Sequence, residues 1–240
     1  MPKLEHDHST ESIAERIGSV KHSYVRDWIY GGVDGAVTTF AVVSGVAGAE
    51  LSPTIVLILG FANLAADGFS MAASNFLGTR AEIDDRKRLE KIEYRHIAVA
   101  PEGEREEIRQ IYRDKGFEGE ELEKAVELIT ADKEIWVNTM LTEEYGLPSE
   151  IRSPWLAAVS TFSAFIICGL VPLLPDIFGF GNSFLMSCIL TGVTFFIIGS
   201  VKARWSTQSW FRSGLETFLV GALAAGLAYG AGVLLKGIAV

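Results

Sequence analysis

Two carboxylates, Asp34 and Asp67, stand inside apolar stretches long enough to cross a bilayer, and Met71 follows the second by one helical turn. An ionised carboxylate at membrane depth is costly unless it is paired, hydrated or holding an ion, so such an acid marks a functional site. Residues four apart on a helix lie above one another, which sets the Met71 thioether on the face of Asp67. Oxygen together with sulfur suits a transition-metal ion better than sodium or calcium. Asp27 precedes Asp34 by two turns, so both carboxylates project from one face at two depths. Its place near Arg26 and Lys21 leaves ordinary charge pairing open, and for Asp34 the plain alternative is a hydrogen bond to Thr38 or a neighbouring helix. Asn63, Asp67, Ser70, Met71 and Ser74 make a polar stripe on the second apolar stretch, turned toward the first or toward a pore.

A second group of candidates is strongly charged. Glu90 with Glu93, and Glu104 with Glu107, are spaced so that two carboxylates can share one cation, and Glu102 and Glu106 add to them. Solvated Glu-rich helices show the same pattern. Met140, followed by Glu143 and Glu144, favours a softer divalent ion such as ferrous iron over magnesium. Glu93-Tyr94-Arg95-His96 is one Glu-x-x-His unit, but a di-iron bundle needs a second and the charged segment has none, so His96 is expected at the surface. His6-Asp7-His8 lies in a polar tail expected to lack order.

The elements that must position these groups follow from hydropathy. The chain has 240 residues, 49% hydrophobic and 21% charged. About twenty of its 30 acidic and thirteen of its 21 basic residues fall between Arg80 and Arg152. Five spans of about twenty residues are predicted: Trp28 to Gly48, Thr54 to Gly78, Trp155 to Leu174, Phe184 to Val201 and Leu215 to Leu235. The expected fold is all-α, with five transmembrane helices and a three-helix cytoplasmic insert between spans two and three. Its divisions are a tail at 1–26, helices at 27–79, the insert at 80–152 and helices at 153–240. Lys21, Arg26, Arg80, Arg152, Lys202, Arg204 and Arg212 flank one side, which makes the N-terminus and insert cytoplasmic, with Lys236 as the one misplaced charge.

In the insert, breaks are expected at Ala100-Pro101 and around Gly116 to Gly119. The third helix, the longest, carries Leu122, Val126, Ile129, Ile135, Val137 and Leu141 at helical spacing. Gly31 with Gly35, and Gly226 with Gly230, form GxxxG pairs suited to close helix packing or self-association. Cys168 and Cys188 lie in apolar segments and indicate no disulfide framework. There is no basic-then-apolar leader, no Walker motif, no nucleophile triad and no basic stripe for nucleic acid, so neither an enzyme nor a nucleic-acid partner is expected.

The runs Tyr30-Gly31-Gly32-Val33-Asp34-Gly35-Ala36-Val37-Thr38-Thr39-Phe40 and Asn63-Leu64-Ala65-Ala66-Asp67-Gly68-Phe69-Ser70-Met71-Ala72-Ala73-Ser74 resemble the vacuolar iron transporter family, and the likeness extends from about Asp27 onward. The resemblance implies a homodimer whose first two spans line a path for Fe²⁺, with Mn²⁺ and other divalent ions such as Co²⁺ or Zn²⁺, moved out of the cytoplasm in exchange for protons. It makes Asp34 and Met71 the intramembrane ligands and Asp27 an acid nearer the cytoplasmic mouth. It matches Glu90, Glu93, Glu104, Glu107, Met140 and Glu143 or Glu144 to a cytoplasmic metal-binding domain. Some members carry Glu where Asn63 stands, so here Asp67 has taken over that carboxylate or does another job. No prosthetic group is implied.

Expected mechanism follows. Insert carboxylates collect the ion, it passes Asp27 to a site made by Asp34 and Met71, and Asp34 or Asp67 exchanges a proton as metal binds. A prokaryotic cell membrane is the expected location, with a vacuolar membrane as the alternative. The rival reading is a membrane-anchored metal-binding or ferroxidase protein without transport.

Overall fold

The computed structural model describes residues 7–17, 23–148 and 152–236. His6 and Lys21, named above, lie outside them. The helices are α1 (Thr10–Ile17), α2 (Val25–Gly48), α3 (Pro53–Val99), α4 (Pro101–Asp114), α5 (Gly119–Thr130), α6 (Lys133–Glu143), α7 (Pro154–Leu170), α8 (Leu174–Ile177), α9 (Ser183–Lys202) and α10 (Trp210–Leu235). There is no strand among the described residues. The chain divides into two compact units, one of residues 22–77 and 154–240 and one of residues 1–21 and 78–153, with α3 contributing to both. Among the described residues, five segments are long and apolar enough to span a membrane: Val25–Gly48, Pro53–Val99, Pro154–Ile177, Ser183–Trp205 and Trp210–Leu235.

In the spanning unit, α2 is central and packs on α7, α9 and α10. Its core joins Ala36, Phe40 and Val43 to Leu64, Phe165, Leu173 and Phe195. Helix α7 can approach closely because Gly31 and Gly35 lack side chains: a Cβ at Gly31 would overlap the Thr161 carbonyl, and one at Gly35 the Phe165 backbone. That GxxxG pair is therefore used within the chain, whereas Gly226 and Gly230 face open space. The third span departs from its expected form. Its α-helix stops at Leu170 and continues as a 3₁₀ turn, Val171–Leu173, then α8. Pro172 and Pro175 each remove a backbone donor and crowd the preceding turn, and Ser187 Oγ donates to the Pro172 carbonyl at 2.7 Å. Lys236, the charge that departs from the orientation pattern, pairs with Glu50, which sits in the turn after α2 with a left-handed backbone (φ 56°).

The insert unit corrects the three-helix expectation. The segment expected as one long helix is two, α5 and α6, divided at Ala131–Asp132. Asp132 ends the first run by capping the second, its carboxylate accepting from the backbone N–H groups of Glu134 and Ile135 at 2.8 and 3.2 Å. This break resets the helical phase. Ile135, expected in the core, is 52% exposed, and Trp136 is buried in its place beside Ile108, Leu122, Val126, Val137 and Leu141. The polar N-terminal segment also gains a short helix, α1.

Candidate metal sites

In the spanning unit the acidic residues have unequal surroundings. Asp27 is only 4% exposed and accepts from Asn75 Nδ2 at 2.9 Å. Asn75 also reaches Thr161 Oγ1 at 2.8 Å and the Ala157 carbonyl at 3.3 Å, so it ties α2, α3 and α7 at one point. One neighbour of Asp27 is thus an amide, while Lys21, a cation expected near it, lies outside the described residues. Asp34 is half-buried two helical turns further along α2. Thr38 does bond to it, but to the main-chain carbonyl at 2.9 Å, and among the described residues no hydrogen bond reaches the Asp34 carboxylate.

Asp67, Asn63 and Met71 come from α3. Thr39 Oγ1 donates to Asn63 Oδ1 at 3.1 Å, and Asn63 Nδ2 donates to Asp67. A polar relay thus runs from α2 to Asp67, which is an electrostatic neighbour of Asp34. Asp67, Ser70 and Ser74 are exposed, while Met71 is half-buried against the apolar core.

The insert holds the denser cluster. Glu93 on α3, 1% exposed, and Glu104 on α4, 5% exposed, converge with His96, one donor atom of each lying within 4.8 Å of the others. Oε2 of both glutamates is buried with no hydrogen-bond partner. Tyr145 donates to Glu93 Oε1 at 2.9 Å. Burial, followed by the charges of Glu107, Glu93 and Glu144, pushes the Glu104 carboxyl up to about 7. Burial and the charges of Glu107 and Glu93 likewise raise Glu144. Burial and the bond to Glu93 raise the Tyr145 phenol. Neighbouring acids that hold protons for want of a counter-charge are a natural cation site.

The structure therefore brings Glu93, Glu104 and His96 together, with Glu107 and Glu144 acting on the two acids only through their charge, and does not gather every residue named from the sequence. Glu90 is half-buried one turn earlier on α3 and outside the three-residue cluster. Glu143 pairs with Lys115 at 2.5 Å, and Met140 is fully buried in the apolar core. His96, expected as a surface histidine, has 46% of its side chain exposed yet sets Nδ1 3.4 Å from Glu104 Oε1. The Glu93-x-x-His96 spacing was the available signal for it. Asn75, Thr161 and Tyr145 had none, since their partners come from distant positions in the chain.

Comparison with known proteins identifies the family of the chain. The model of the VIT family matches residues 25–233. The vacuolar iron transporter of Toxoplasma gondii is 33% identical over 248 residues, covering 95% of this chain and 82% of its own. Vacuolar iron transporter 1 of Oryza sativa subsp. japonica is 33% identical over 209 residues, covering 86% and 83%. The vacuolar iron transporter of Plasmodium berghei is 32% identical over 243 residues, covering 96% and 89%.

Proposed function

Because this chain belongs to the VIT family, and is thus a multi-pass membrane protein of metal transport, we propose that it exports Fe²⁺ from the cytoplasm in exchange for protons, as a homodimer. The observation that carries this reading is the outward face of α3. Asp67, Ser70 and Ser74 are exposed on a segment long and apolar enough to span a bilayer. Lipid cannot solvate such a stripe, so a second copy or a water-filled path must cover it. Pairing two copies across α2 and α3 supplies both.

In this account Asp34 and Met71 from each copy form the intramembrane site, oxygen and sulfur together favouring Fe²⁺ and admitting Mn²⁺, Co²⁺ or Zn²⁺. A carboxylate must be deprotonated to bind the ion, so metal arrival releases a proton that the far side restores. Asp67, held by the Asn63 amide, is the carboxylate that takes up and returns that proton beside Asp34. Asp27, held by Asn75, orients α2 and shapes the entry. The insert, on the cytoplasmic side with the N-terminus, gathers metal at Glu93 and Glu104, with Glu107 and Glu144 adding negative charge, Glu90 one turn away on α3, Glu143 held by Lys115 and Met140 in the apolar core. The relatives carry vacuolar names, so the cell-membrane expectation finds no support there, and any membrane bounding the cytoplasm satisfies the mechanism.

The protein reconstituted in liposomes should accumulate Fe²⁺ against its gradient when a pH gradient is imposed. Flux that only follows the metal gradient contradicts exchange and describes a channel. Metal binding without flux supports the anchored metal-binding or ferroxidase alternative.

A further inference from the structure

His96 belongs to the insert cluster by geometry rather than by charge alone. It stands one turn after Glu93 on α3 and faces Glu104 across the α3–α4 corner at Ala100-Pro101. Its Nδ1 is 3.4 Å from Glu104 Oε1 and 3.9 Å from Glu93 Oε1. Tetrahedral binding at about 2.0–2.2 Å sets ligand atoms roughly 3.3–3.6 Å apart. The Glu104–His96 pair already has that spacing. Both carboxylates are more than nine-tenths buried, and each keeps an Oε2 without a partner. Glu93 is further fixed by the Tyr145 hydroxyl, the kind of outer contact that orients a ligand.

We infer that His96 makes this a mixed imidazole–carboxylate site, which selects Fe²⁺, Co²⁺ and Zn²⁺ against Mn²⁺, Mg²⁺ and Ca²⁺. The inference rests on the reading of the insert as a metal-collecting unit and adds the residue that sets its preference. Hard cations take oxygen and gain little from an imidazole nitrogen. Affinity for a nitrogen-containing site rises from Mn²⁺ through Fe²⁺ and Co²⁺, so one imidazole among acids discriminates where carboxylates alone do so weakly. Selection then takes place before the ion enters the membrane path.

The same distances suit a protonated His96 that merely offsets two acids, and substitution separates the two roles. Lysine keeps the charge and cannot ligate as an ammonium; glutamine loses both charge and imidazole. The test uses the full-length protein in nanodiscs, with Asp34→Ala as background so that the membrane site does not contribute. Co²⁺ and Mn²⁺ binding are measured by equilibrium competition at fixed pH, together with the visible absorption of bound Co²⁺.

His96→Gln and His96→Lys should each weaken Co²⁺ by about tenfold or more, the range for disturbing a metal's ligand shell, and should alter the Co²⁺ spectrum. Mn²⁺ should change by less than about threefold. Unchanged Co²⁺ affinity and spectrum in His96→Gln, equal losses for both ions, or full Co²⁺ affinity in His96→Lys would overturn the inference. A parent protein whose Co²⁺ binding is indifferent to Glu104→Gln overturns the collecting reading itself. Wild-type insert binding with an unaffected His96→Gln overturns only the role of His96.

Discussion

Asp27 in the spanning unit and Glu104 in the insert are buried to nearly the same degree, yet their surroundings are opposite. Asp27 accepts a hydrogen bond from Asn75, which is itself anchored on Thr161 and Ala157. Glu104 faces other acids and keeps one oxygen without any partner. A buried carboxylate that is satisfied by its own chain stabilises the architecture, whereas one left unsatisfied among like charges is destabilising until a proton or a cation arrives. By this criterion Asp27 is a joint among α2, α3 and α7, and the Glu93–Glu104 pair is the candidate for holding a cation. Asp34 lies between the two cases, half-buried with no hydrogen bond to its carboxylate among the described residues.

The sharpest contrast concerns packing. Gly35→Val puts a side chain into the Phe165 backbone and should abolish folded protein, read as loss of a monodisperse peak in detergent; Gly103→Ala in the insert meets no atom within 4 Å and should be neutral. If Gly35→Val purifies normally, the tight α2–α7 contact is wrong. Next in size, Asn75→Ala leaves the Asp27 carboxylate buried without that donor and should cost about 1–3 kcal/mol or more, seen as a lower melting temperature. Glu104→Gln should do the reverse, raising apo stability near neutral pH while removing metal binding. Equal signs for the two substitutions would break the comparison.

A pH prediction follows from Glu104. Its carboxyl is held at about 7 against an ordinary 4.5, so the folded apo protein binds more protons than the unfolded chain between those values. That contribution to stability is complete below about 4.5 and fades as pH rises through about 7. Melting of the apo insert should therefore weaken over this window, and divalent metal should restore it above about 7 but do little near 5, where protons compete. A pH-independent melt would contradict the cluster. The smallest effect is expected at the exposed Arg109–Glu123 pair, 2.7 Å apart: Arg109→Gln should shift melting only slightly and not at all in high salt.

Much of this was legible in the chain. Hydropathy found five spans because twenty apolar residues have few other uses, and the acids within them stand out against that background. The division of the third insert helix was not legible, since Asp132 reads equally well as a solvated helical residue until its carboxylate is seen capping Glu134 and Ile135. Proline in the third span gave a signal that hydropathy overrode. Residues defined by partners far along the sequence, such as Asn75 with Asp27 and Tyr145 with Glu93, could not be found by spacing. His96 reads as a surface residue because the insert sequence has no second Glu-x-x-His, while the remaining carboxylate, Glu104, arrives from the next helix.

The central claim is that the unsatisfied acid of the membrane path carries the ion. Proteoliposomes containing wild type or Asp34→Ala, loaded alike and given the same pH gradient, test it in one comparison of Fe²⁺ uptake. Wild type should concentrate Fe²⁺ while Asp34→Ala falls to the level of empty liposomes, with Co²⁺ binding by its insert intact. Full gradient-driven uptake by Asp34→Ala would contradict the account.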